Sequence, residues 1–247
     1  MNISGGALTI LFANNVQTGK LSVNNDMIKN FEHISSVDLI KEPFFYNHLI
    51  KSTSNRFLDK FLSFVETDEL ILDMGCGRDS VIPSCYKKIE VDFLCQNRPH
   101  VVGDAGNIPF KDSSVDHLCC SWMFEHIEEP AHTLSEFYRV LKFGGYLYLT
   151  TNFVWHLHEA PRDFFRFTRY GLNYLFNNYG KWKIIFLKPT AGYWLTMLQL
   201  LNYKFAKILG PIHPVVTIPL QLTGLLLEKL NFDDSIAAGY CIIAQKL

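Results

Sequence analysis

Leu70-Ile71-Leu72-Asp73-Met74-Gly75-Cys76-Gly77 is a short apolar run that ends in a carboxylate and two closely spaced glycines. Its length suits a buried strand better than a helix. The glycines let the backbone turn sharply and come close to a ligand. Nineteen residues after Asp73, a second acid, Asp92, stands near the end of another apolar segment, Ile89 to Phe93. A third, Asp104, follows the segment beginning at His100, in Gly103-Asp104-Ala105-Gly106-Asn107-Ile108-Pro109-Phe110. All three acids are expected at the C-terminal ends of parallel strands, the edge at which open α/β sheets bind ligands.

Working outward, strand-like and helix-like segments alternate from about residue 55 to 190, which predicts a mostly parallel α/β sheet flanked by helices. Asn55 to Val65 reads as a helix, with Phe57, Leu58, Phe61, Leu62 and Val65 on one face. Val115 to Ser121 reads as the fourth strand. Pro130 to Leu141 reads as a helix, with proline at its start and Gly144 beyond its end. Tyr146 to Thr151 is the fifth strand. Thr168 caps a helix that runs through Asn178, and Gly180 stops it. Trp182 to Leu187 and Tyr240 to Ala244 complete seven strands. Residues 1–54 read as an N-terminal extension and 55–247 as one domain.

Composition narrows the function classes. Of the 247 residues, 48% are hydrophobic and 19% charged, which fits a folded chain and not a disordered one. The net charge of -1 gives no global field for nucleic acid, and no basic stripe accompanies the site loops. The six cysteines form no C-x-x-C pair and no zinc spacing, so they read as reduced thiols, and the sequence gives no sign of a metal. The start lacks the basic residues of a signal peptide, so the chain is expected in the cytoplasm.

The ordered set of motifs resembles the class I S-adenosylmethionine-dependent methyltransferases, of the type 11 kind, from about Leu70 to Phe153. After Asp104 come Ser113-Ser114-Val115-Asp116, a strand, and Phe124-Glu125-His126-Ile127. Tyr138-Arg139-Val140-Leu141-Lys142-Phe143-Gly144-Gly145 then precedes the fifth strand. A narrower likeness continues through His158-Glu159-Ala160-Pro161-Arg162-Asp163-Phe164-Phe165-Arg166-Phe167-Thr168. It resembles a branch often associated with bacterial surface-glycan pathways.

The resemblance implies S-adenosylmethionine as cofactor and a Rossmann-like fold. It implies that Asp73, Gly75 and Gly77 line the methionine part and that Asp92 holds the ribose diol. Asp104 and Ala105 would face the adenine, with Ser121 to Met123 as the floor near the sulfonium. Where many members have a third glycine two places after Gly77, this chain has Asp79, which must turn outward or meet the cationic amino group. A nicotinamide dehydrogenase is the rival within the fold, since Gly75, Gly77 and Ser80 nearly spell its glycine fingerprint. A carboxylate at Asp73 suits an ammonium and would repel a pyrophosphate.

For a hydroxyl acceptor, the proton must leave during transfer. His126, His156 and His158 are candidates, with Glu125, Glu159 and Asp163 as bases or orienting groups. His158 and Asp163 are preferred because they follow the fifth strand. Arg166 is expected to pair with Asp163 or with an anionic group on the acceptor, and His156 to line its site. The alternative is that His158, Pro161, Asp163 and Arg166 simply lock the loop, and that His126 is a satisfied core histidine. Cys119 and Cys120 read as core residues.

Residues 190–238 form an apolar segment between the last two strands. Ile208 to Leu227 holds no Lys, Arg, Asp or Glu. Its length alone would allow a span, but Pro211, Pro214 and Pro219 argue against one straight helix. Lys204, Lys207 and Lys229 would suit an anionic lipid surface at the inner face of a membrane. A helical cap over the site is preferred, with membrane contact through 190–230 as the second reading; a lipid-linked glycan acceptor would reconcile them. The acceptor expected from the resemblance is a sugar or glycan-related hydroxyl. A small-molecule, lipid or natural-product acceptor is the alternative within the class, and a non-catalytic scaffold the alternative outside it.

Overall fold

A computed structural model describes residues 48–209 and 213–247. The expected N-terminal extension, 1–54, lies mostly outside them. Seven strands form one sheet: β1 (Ile71–Met74), β2 (Lys88–Asp92), β3 (Val101–Val102), β4 (His117–Ser121), β5 (Tyr146–Asn152), β6 (Trp182–Pro189) and β7 (Gly239–Lys246). Their order is β3-β2-β1-β4-β5-β7-β6. The sheet is mixed, which corrects the mostly parallel expectation. β1 to β5 pair in parallel, whereas β7 runs antiparallel to both β5 and β6. The physical reason is that β7 returns between two strands already laid down. The alternation of apolar segments cannot reveal that direction, because parallel and antiparallel buried strands read alike.

Helices cover both faces, so β1 is buried at all four positions. On one face α1 (His48–Leu62) lays Leu58, Phe61 and Leu62 against Ile71, Cys119, Tyr148 and Ile243. On the other face, α2 (Pro130–Val140) and α3 (Arg169–Asn178) bury Leu134, Phe137, Val140, Leu172 and Phe176 on Leu72, Leu118, Leu147 and Ile242. Adjacent residues of β4 and β7 thus feed opposite cores, as the two-residue strand period requires. Cys119, Cys120 and Cys241 are buried thiols in these cores, and burial pushes Cys241 well above the ordinary thiol range.

Capping explains the helix bounds. Pro130 occupies the first turn of α2, where its missing N–H costs nothing. Thr168 Oγ1 accepts the Gly171 N–H at 3.0 Å and starts α3. Between β6 and β7 run α4 (Tyr193–Leu209) and α5 (His213–Leu230). Glu228 of α5 accepts N–H groups from Gly192 and Leu195 at the start of α4, a carboxylate at the positive end of a helix. Thr217 donates to Asn202 at 2.7 Å in the buried seam between them. Among the described residues, no helix is long and apolar enough to cross a membrane.

Candidate active site

The carboxyl edge of the parallel strands is built first by glycines. Gly75 and Gly77 adopt φ of +73° and +63°, the left-handed region that a side chain disfavours. A Cβ on Gly75 would lie 2.4 Å from Met123 Cγ, so Met123 packs directly on the turn. A Cβ on Gly77 would meet nothing within 4 Å, which leaves open space beside the loop. Asp79 is exposed.

Three acids stand at this edge of the sheet, on β1, on β2 and in the segment after β3. Asp73 is 1% exposed and accepts the Ser80 hydroxyl at 2.5 Å. Burial raises its carboxyl above the ordinary range, and the Ser80 bond offsets part of that. Asp92 accepts two backbone donors, Gly77 N–H at 2.9 Å and Leu94 N–H at 2.8 Å. Asp104 accepts the Gly106 N–H at 2.9 Å and is exposed beside buried Ala105. Arg139 and Glu136 of α2 hold the segment that follows. Arg139 donates to the carbonyls of Ile108 and Phe110, and Glu136 accepts the Ile108 N–H.

The ends of β4 and β5 build the second half. Ser121 Oγ lies 3.3 Å from Thr150 Oγ1, and Trp122 N–H bonds Thr150. A short 3-10 turn, Phe124–His126, follows. Glu125 is fully buried. It accepts Thr151 Oγ1 at 2.8 Å and Asn152 Nδ2 at 2.5 Å. His158 Nε2 stands 3.9 Å from Glu125, and the rings of His126 and His158 are 4.8 Å apart. The structure therefore brings together His126, His158, Glu125 and Asp163.

Asp163 and Arg166 pair in bidentate fashion at 2.6 and 2.7 Å. The guanidinium holds the Asp163 carboxyl well below the ordinary carboxylate range. Asp163 also accepts the His158 N–H at 3.0 Å. Arg166 spends its other donors on the carbonyls of Phe165 and His156. Both residues thus fasten the loop around His158, in line with the locking alternative. His156 is exposed, with its ring 4.4 Å from that of Tyr203 on α4.

As partners of buried carboxylates, Ser80, Thr151 and Asn152 escaped the sequence reading. They are ordinary polar residues, and only tertiary contact shows that they satisfy buried carboxylates. Asn152 ends β5, the kind of position that could have drawn attention.

Residues 72–149 match the family described as "Methyltransferase domain". The chain is 30% identical over 143 residues to a demethylmenaquinone methyltransferase of Symbiobacterium thermophilum, over 58% of this chain and 43% of that protein. It is 38% identical over 61 residues to a ubiquinone/menaquinone biosynthesis C-methyltransferase of a Ruegeria species, over 25% of this chain and 24% of that protein. The chain thus spans less than half the length of these relatives.

Among solved structures, it resembles a SAM-dependent methyltransferase from Archaeoglobus fulgidus, with TM-score 0.52 and 19% identity over 82% of this chain and 99% of that one. It also resembles Haemonchus contortus phosphoethanolamine N-methyltransferase 2 in complex with S-adenosyl-L-methionine, with TM-score 0.52 and 16% identity over 82% and 56%. At such identity these likenesses establish the fold. Residues 72–149 thus match a methyltransferase-domain family within a fold shared with S-adenosylmethionine-dependent methyltransferases, which supports S-adenosylmethionine as the cofactor.

Proposed function

We propose that this protein transfers the methyl group of S-adenosylmethionine to a hydroxyl oxygen of a sugar or glycan-related acceptor. The observation that carries the reading is the buried Glu125, with His126 and His158, placed just past Met123, which packs on the Gly75 turn. The bound cofactor supplies a methyl group already activated by the sulfonium. The residues of this chain then have to align the acceptor and take up its proton.

In this reading, Asp73 faces the ammonium of the methionine end, with Gly75 and Gly77 giving room for it. Asp92 accepts from the ribose hydroxyls, and Asp104 with Ala105 borders the adenine. Ser121 forms the floor near the sulfonium. His158 takes the acceptor proton, with Asp163 fixing its backbone and ring, and His126 stands beside it. His156 and α4 border the acceptor through the Tyr203 contact, which supports residues 190–238 as a cap within a domain spanning 55–247.

The relatives' names favour a second reading, a quinone-like or other small lipophilic acceptor. The exposed stripe Val215, Leu222, Leu226 and Leu230 on α5 supports either a lipophilic or a lipid-linked acceptor met at an anionic membrane face.

Titration calorimetry with S-adenosylmethionine, beside Asp92→Ala, tests the cofactor part. Micromolar binding that the variant loses is expected; silence in the native chain overturns the reading. Labelled methyl transfer onto glycan, lipid-linked glycan and quinone extracts then separates the acceptors. Co-sedimentation with anionic vesicles tests the membrane face, which falls if the protein stays in the supernatant.

A further inference from the structure

The cluster of Glu125, His126 and His158 has a feature that proton transfer alone does not need. The three residues offer ligand atoms that all lie within 4.8 Å of one another. His126 Nδ1 lies 2.6 Å from the Arg162 carbonyl, so it carries the proton and leaves Nε2 with its lone pair. His158 Nδ1 lies 3.3 Å from both the His156 carbonyl and Asp163 Oδ2, which fixes the same tautomer. Metal-binding histidines are held in this way, with the outer nitrogen donating to a carbonyl or carboxylate and the inner one left bare.

Glu125 completes the set. Its side chain is fully buried, and among the described residues no Lys or Arg lies within 4.0 Å of it. The Arg166 guanidinium acts on it only from beyond contact distance, and a buried carboxylate without a contact cation is costly. The bonds from Thr151 and Asn152 each use one of its oxygens and leave further lone pairs. Asn152 Nδ2 also lies 3.5 Å from His158 Nε2, so this amide has to turn aside for that nitrogen to take an ion. Exposed Glu159 lies 3.8 Å from His126 Nε2 and can add a fourth ligand.

We propose that Glu125, His126 and His158 bind a divalent transition-metal ion. Two imidazoles and one carboxylate are a donor set that such ions take, with positions left open. Ligands about 2.1 Å from a shared ion stand roughly 3 to 3.5 Å apart, so the 3.9 Å between His158 and Glu125 shortens slightly on binding, while separations of up to 4.8 Å within the cluster have to close by more. The ion would hold the acceptor oxygen and ease loss of its proton to solvent. That last role rests on the proposed methyl transfer, whereas the binding itself does not.

The test is titration of the full chain, stripped with chelator, with Zn²⁺, Mn²⁺ and Co²⁺ each alone. One equivalent of at least one ion is expected to bind, and Co²⁺ to develop visible absorption bands on binding. Glu125→Gln and His158→Gln should each weaken binding at least a hundredfold. His126→Gln, at a partly exposed position, serves where a buried change prevents a cooperative thermal melt. Absence of binding by all three ions, or binding equal in native chain and folded variants, overturns the proposal. S-adenosylmethionine is titrated separately without metal, so failure of the cofactor reading and failure of the metal site are told apart.

Discussion

The carboxylate of Asp92 accepts the backbone N–H of Gly77 at 2.9 Å, so β2 holds the turn that leaves β1. Its other oxygen takes the Leu94 N–H. Asp92→Ala removes a charged acceptor from two backbone donors, and each such bond contributes about 1–3 kcal/mol. The variant is expected to lose about 2 kcal/mol of stability in urea even without cofactor. Asp92→Asn, which keeps one oxygen acceptor, should fall between. A native midpoint for Asp92→Ala would show that the turn stands without it.

Asp73 separates binding from stability. Burial raises its carboxyl in the folded state, so the ionised form subtracts from stability at neutral pH. That cost disappears as pH falls through the raised value. Asp73→Asn cannot ionise. It should therefore be at least as stable as the native chain at pH 7, with the advantage narrowing in acid. The same variant should bind S-adenosylmethionine at least tenfold more weakly. Melting at two pH values and one titration check both halves; a less stable variant at pH 7 contradicts the first.

Gly75→Ala should be among the most damaging single-methyl additions. The new Cβ meets Met123 at 2.4 Å in a backbone with φ of +73°. Overpacking and left-handed strain together are expected to cost about 3 kcal/mol. Adding Met123→Ala removes the Cγ at 2.4 Å but keeps the Cβ at 2.8 Å, so it relieves part of the clash and leaves the backbone term of roughly 1–2 kcal/mol. Thermal denaturation of the single and double variants measures the split. A double variant no better than the single one contradicts the Met123 contact.

Glu136 gives the acid limb. The Arg139 guanidinium, bonded at 2.7 Å, holds its carboxyl below the ordinary value of 4.5. A depressed carboxylate contributes stability above its unfolded value, and that contribution is lost as pH falls through the folded one. Glu136→Gln should be about 1 kcal/mol less stable at pH 7, with the gap closing below pH 4.5. A gap independent of pH would assign the loss to packing.

The sequence resolved the parts that rest on local pattern. The apolar runs at β1, β4 and β5, the cap at Thr168 and the proline of α2 match the structure closely because each is decided within a few residues. The strand direction of β7 was not legible, since it depends on where the chain returns. Nor was the geometry of Glu125 and His158, which lie 33 positions apart in sequence and meet only because β4 and β5 are neighbours. The outward turn of Asp79 and the pairing of Arg166 with Asp163 were among the alternatives offered by the sequence, and packing decides between them.

The placement of β7 between β5 and β6 also governs when the molecule can assemble. During synthesis, β1 to β5 can pair as they emerge. The inner edge of β5 and the whole of β6 must wait until residues 239–246 leave the ribosome. Until then two apolar strands stand with open ladders, which invite pairing with other nascent chains. Cellular yield should thus depend more steeply on changes in this late strand than its eight residues suggest.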